Sequence, residues 1–183
     1  MTSKLKTDVL ETVSGSGTIA LSNQLTGMTT ASLPTLTSAE MPAGSVVQVV
    51  TKSYSNNSEV QTSSTSYVAL GSAFELAITP KYATSLIICD IHLGMQFNNT
   101  AGSPLICVIT KAGGAMNSAT YGSSYTNIND SRSYTSNSLR EFDAAGGTSA
   151  ITYGMSFKGQ GGNTVFGYHG QSAYHITLTE IKQ

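Results

Sequence analysis

The 183 residues predict an all-β chain. The expected form is an antiparallel β-sandwich, jelly-roll-like, of about eight strands, preceded by an extended N-terminal arm. Period-two alternation of apolar residues recurs in short runs after residue 45, and no run has both the length and the 3.6 period of a helix. The composition agrees: charged residues make up 10% of the chain, while 26 Ser, 24 Thr, 10 Asn and 18 Gly dominate it. Hydroxyls and amides, more than charges, keep such a surface wet.

The same composition excludes several functions. A net charge of -1 with two arginines provides no footprint for phosphate backbones, so nucleic acid is not an expected partner. No apolar run approaches the length of a membrane helix, and membrane insertion is not expected. The opening MTSKLKTDVLETVSG has basic residues without an apolar stretch behind them, so no signal peptide is expected. Two cysteines are too few for a disulfide scaffold.

The chain changes character near residue 41. Residues 1–40 contain no aromatic side chain and only isolated aliphatics, among them Leu5, Val9, Leu10, Ile19 and Leu21. Such a segment cannot offset its ordering entropy with a core of its own. It is either flexible or ordered against a partner, and those five residues are the candidate anchors. Residues 41–183 form the predicted head domain.

Within the head, Met41–Ser45 reads as a turn, with Pro42 fixing φ and Gly44 permitting an unusual one. Val46–Tyr54 is a β-branched strand, and Tyr67–Leu70 a short one. Across Ala73–Thr79, Phe74, Leu76 and Ile78 face one way, and Pro80 stops the strand. Residues 86–97 carry the clearest alternation: Ile87, Cys89, Ile91, Leu93, Met95 and Phe97 on one side, Leu86, Ile88, Asp90, His92, Gly94 and Gln96 on the other. Leu105–Thr110 is a further apolar strand. Residues 111–138, rich in Gly, Ser, Asn and Tyr, are expected to be a long functional loop, broken at most by short irregular strands. Strands resume at Leu139–Phe142, Ile151–Phe157, Thr164–Tyr168 and Tyr174–Thr179. A closed eight-stranded barrel is the alternative to two stacked sheets.

Two strands have a surplus apolar side. Val46–Val50 is apolar on both faces and uncharged, and Leu86 and Ile88 sit opposite the core face of their strand. Edge strands of monomers are usually blunted by charge or proline. Sister subunits that cover these sides would resolve the conflict, so a homo-oligomer is expected.

Candidate chemistry is sparse. HExxH, CxxC and GxSxG are absent, and neither a catalytic residue, a metal nor a cofactor is expected. Asp90 and His92 share a strand face and would make half a metal or acid–base site, needing a further ligand from His169 or His175. Glu141 and Asp143, two residues apart, are the nearest approach to a glycosidase pair. Cys89 and Cys107 read as small core residues. In the long loop, tyrosines lie among amides and hydroxyls, a combination suited to adaptable contacts. Tyr121, Tyr125, Asn127, Asn129, Tyr134 and Asn137 are therefore the candidate receptor or partner contacts.

Several segments carry a family resemblance: MPAGSVVQVV (41–50), FELAITPKYATSLIICDI (74–91), GGTSAITYGMSF (146–157), GGNTVFGYHG (161–170) and ITLTEIKQ (176–183). They resemble a C-terminal domain of fibre and virion surface proteins of tailed bacteriophages, including phages of cyanobacteria and other marine bacteria. The opening SKLKTDVLETVSGSGTIALSNQ is similar to the segment preceding such domains. The resemblance implies a jelly-roll-like sandwich, a homotrimer, and a virion-surface location after synthesis in the host cytoplasm. It further implies that the arm binds phage capsid or tail proteins. The expected function is then a non-enzymatic short trimeric fibre or spike, with attachment to a host surface glycan as an added role. Alternatives are a capsid decoration (cement or head-fibre) protein, a carbohydrate-binding module and a polysaccharide hydrolase.

Overall fold

The computed structural model describes residues 39, 41–55, 57–98, 104–117, 119, 122–126, 133–160, 164–168, 170 and 172–183. The N-terminal arm and its candidate anchors Leu5, Val9, Leu10, Ile19 and Leu21 lie outside the described residues.

The described residues form twelve strands: β1 (Val46–Tyr54), β2 (Val60–Thr62), β3 (Val68–Ala69), β4 (Leu76–Ile78), β5 (Leu86–Asn98), β6 (Leu105–Lys111), β7 (Gly114–Ala115), β8 (Ser124–Thr126), β9 (Ser133–Ala144), β10 (Ile151–Gly159), β11 (Val165–Tyr168) and β12 (Tyr174–Ile181). Every pairing among them is antiparallel. The 3-10 turn Ser72–Phe74 lies between β3 and β4.

The first sheet is built on β5. One edge of β5 pairs with β9 over most of its length, and the other pairs with β12 over Leu86–Leu93 and with β11 at Phe97–Asn98. β1 then lies outside β12, and β2 outside β11. The second sheet is built on β10 and β6, with β3 and β4 along the outer edge of β10 and β7 and β8 along that of β6. Neither sheet closes into a barrel among the described residues.

Alternation decides what is buried. Ile87, Cys89, Ile91 and Leu93 of β5 and Tyr174, Ile176 and Leu178 of β12 point inward from the first sheet. They join Leu105, Cys107 and Ile109 of β6 and Tyr153, Met155 and Phe157 of β10 in one buried cluster. An aromatic group fills one end. Phe74 lies 4.5 Å from Tyr54, 4.9 Å from Tyr168 and 5.1 Å from Tyr174, ring centre to ring centre. Gly71, at φ 109°, starts the 3-10 turn that delivers Phe74 to this position. The Tyr174 hydroxyl donates to the Phe74 carbonyl at 2.7 Å, so the turn is held by packing and by a buried hydrogen bond.

One sequence expectation needs correction. Residues 133–138, assigned to the long loop, form the first half of β9 and pair with β5 from Asn98 back to His92. The remainder of that loop contains β7 and β8, the short strands allowed for there. Ser133–Ser138 has the hydroxyl and amide side chains of a loop, but a strand is stabilised by its backbone partner as well as by its side chains. β5 extends far enough to provide that partner.

Glu180 continues the inward parity of β12 and is fully buried. Its carboxylate accepts hydrogen bonds from Gln48 Nε2 (2.6 Å), Ser85 Oγ (2.7 Å) and the backbone N–H groups of Lys81 (2.8 Å) and Tyr82 (3.2 Å). The 79–85 connection, which leads from β4 in one sheet to β5 in the other, is thereby tied to β12. Burial pushes the Glu180 carboxyl up, but these hydrogen bonds outweigh it and hold the group below its ordinary value. A depressed carboxylate pKa stabilises the fold above the unfolded-state value, and that stabilisation disappears as pH falls through the folded-state value. Glu180→Gln is therefore expected to lower stability at pH 7 by about 2–3 kcal/mol, since it turns one acceptor toward four donors. Urea denaturation should show the gap to wild type narrowing once pH falls below about 4.

Candidate functional site

The outer face of the first sheet has four cross-strand rows, fixed by the register. From one end they read Ser53–His175–His92–Ser138, Thr51–Thr177–Asp90–Arg140, Val49–Thr179–Ile88–Phe142 and Val46–Ile181–Leu86–Ala144. Successive rows are two residues apart, except on β1, where an irregularity between Val46 and Gln48 makes the last step three and keeps Val46 exposed, so the sixteen side chains share the face turned away from the core. The first two rows are polar. The last two are largely apolar, with Val46, Val49 and Phe142 exposed at 48%, 54% and 59%.

At the polar end, His92 and His175 are direct cross-strand neighbours. Their rings stand 6.3 Å apart at 23° between planes. Each Nδ1 is hydrogen-bonded to a serine hydroxyl on the flanking strand: His175 to Ser53 at 2.8 Å, His92 to Ser138 at 2.9 Å. The tautomer sets which partner donates. In the next row Arg140 donates from Nε to Asp90 Oδ1 at 2.5 Å and from Nη2 to Oδ2 at 3.1 Å. Both faces of this exposed ion pair meet solvent, so it fixes geometry more than it adds stability. Asp90, His92, Ser138, Arg140, His175 and Thr177 line a shallow depression of about 270 Å³.

The opposite side of β9 faces inward at the margin between the sheets. Asp143 accepts the Tyr153 hydroxyl at 2.5 Å and pairs with Lys111 Nζ at 2.7 Å. Glu141 accepts from Ser123 Oγ at 2.7 Å. Gly122, at φ 58°, makes that contact available: a Cβ there would meet the Cys107 carbonyl at 2.5 Å. The two carboxylates thus link β9 to β10, to β6 and to the segment before β8. Asp90 pairs with Arg140 on the far face of the sheet, so Asp90 and Glu141 do not converge on a common cleft.

Cys89 and Cys107 are buried and unbonded to each other, and their strands belong to different sheets. Burial pushes the Cys89 thiol up to about 12, reinforced by Asp90, Glu141 and Asp143. Of the candidate contacts, Tyr125 is on β8 and 41% exposed, while Asn137 is half-buried on β9 opposite Leu93. Tyr134 sits on β9 opposite Phe97, its side chain outside the description. Tyr121, Asn127, Asn129 and His169 lie outside the described residues. Four of the six proposed contact side chains are therefore beyond the described structure.

The sequence shows His92 and His175 each on an outward parity. That they are neighbours follows from the β5–β12 register, which links residues 83 positions apart. Among the described residues no group of three or more His, Cys, Asp or Glu side chains is arranged around a metal position. None of the described helices is long and apolar enough to cross a membrane. No model of a known protein family matches the chain. A search of curated proteins likewise found no match.

One measurement checks the buried thiols. A chromogenic disulfide reagent at pH 8 should find no reactive thiol in the native chain and two after denaturation, since the nucleophile is the thiolate. Reaction of either cysteine without unfolding would contradict this packing.

Proposed function

We propose that this chain is a non-enzymatic structural protein of a tailed-phage virion, a short trimeric surface spike with a jelly-roll-like sandwich as its head. The strand order carries the proposal. Reduced to four positions each, the sheets run β1–β12–β5–β9 and β3/β4–β10–β6–β7/β8. The chain passes between the sheets after β2, β4, β5, β8, β9 and β10, a winding that supports the jelly-roll reading. The inward side chains of both sheets sharing one core favour face-to-face stacking.

The apolar end of the outer face supports assembly, and its occupant is a second copy of the chain. Val46, Val49, Leu86, Ile88, Phe142 and Ile181 bear no charge. In the neighbouring polar row Asp90 and Arg140 neutralise each other. Copies can therefore meet there without like-charge repulsion. Lys182 Nζ donates to the carbonyls of Ala39 and Met41 beside this end, so an anchoring arm would leave the head next to the seam. The three-fold number and the virion location come from the family resemblance. The engagement of Glu141 by Ser123 and of Asp143 by Tyr153 and Lys111 speaks against their use as the two carboxylates of a hydrolase.

Sedimentation of the full chain at micromolar concentration should give a three-chain mass. Val49→Ser combined with Phe142→Ser should weaken assembly about 100-fold, from about 1.5 kcal/mol lost per buried side chain, with the strand spectrum unchanged. A wild-type chain that sediments at 19.1 kDa would contradict the trimer. Purified particles that lack the chain would contradict the virion assignment.

A further inference from the structure

We propose that His92 and His175 form a two-imidazole site for a borderline divalent metal ion of the zinc, nickel or copper(II) class. The cross-strand pairing places both rings on one open sheet face, at neighbouring backbone positions that cannot drift apart. Each Nδ1 is already taken by a serine hydroxyl, and neither Nε2 has a protein partner among the described residues. Metal-binding histidines have this arrangement: one ring nitrogen is oriented by an outer hydrogen bond and the other carries the free lone pair. In that tautomer Nδ1–H donates to Ser53 Oγ or Ser138 Oγ and Nε2 keeps its lone pair, on rings that line the depression.

The geometry is close to what an ion requires. With metal–nitrogen bonds of about 2.1 Å, two imidazoles on one tetrahedral ion stand about 5 Å apart, centre to centre. The observed separation is 6.3 Å, so the rings have to close by about 1 Å, a small tilt for exposed side chains. Asp90 and Arg140 beside the pair cancel in charge and do not repel a cation. Water completes the coordination, because the described residues offer no third protein ligand. Imidazole ligands select zinc, nickel and copper over magnesium and calcium. The site needs one chain only, about 13 Å along the strands from the apolar end, and does not depend on the assembly proposed above.

The test is calorimetric titration of zinc or nickel into the tag-free, chelator-treated full chain at pH 7.5. One ion per chain is expected, with a Kd on the order of 10 μM. His92→Ala and His175→Ala should each weaken binding at least about tenfold. Ser53→Ala with Ser138→Ala should weaken it about tenfold while leaving both imidazoles in place. His169→Ala should leave it unchanged. No binding up to about 1 mM, or binding that survives loss of either paired histidine, would overturn the site. Assembly, read separately by sedimentation, can fail without affecting this result.

Discussion

The backbone pairing of β5 on both edges is the constraint on which the structure depends. From Leu86 to Leu93 the strand is bonded to β12 on one side and β9 on the other, so its register cannot slip without breaking two ladders. That register sends Ile87, Cys89, Ile91 and Leu93 into the core and Leu86, Ile88, Asp90 and His92 outward. The composition of the outer face, its histidine pair and its ion pair all follow from that single alternation.

Polar groups then join what the hydrophobic core only brings together. Glu180 ties the 79–85 crossover to β12 with four hydrogen bonds, and Asp143 joins β9 to Tyr153 and Lys111 of the other sheet. A crossover between sheets is where backbone N–H groups would otherwise lack ladder partners, and the Glu180 carboxylate accepts two of them. Asp143 and its neighbour Glu141 looked, in isolation, like candidates for chemistry. Their partners give them a structural role.

Legibility in the sequence followed the physics of each element. β5, β6, β10 and β12 were readable because burial on one face imprints a period of two. The fold as antiparallel β followed from them. Ser133–Ser138 was unreadable because its pairing rests on backbone bonds to β5, which leave no apolar signature. β2 was missed for its brevity and its polar neighbours. The surplus apolar sides of Val46–Val50 and of Leu86 with Ile88 were visible, and the register brings them together with Phe142 into one patch. Glu180 gave no signal, since a carboxylate at the end of a strand ordinarily marks solvent. The His92–His175 pair required the β5–β12 register, a contact across 83 residues that local patterning does not encode.

What covers the outer apolar patch decides whether the head is complete as one chain. In a single chain Phe142 is 59% exposed, more than Tyr125 at 41%. Hydroxyl-radical footprinting of the native full-length chain compares the two rings directly. If copies pack on this face, Phe142 should oxidise as slowly as the buried Phe157 while Tyr125 reacts quickly. Oxidation of Phe142 at the rate of Tyr125 would mean that the face is bare and that no subunit seam lies there.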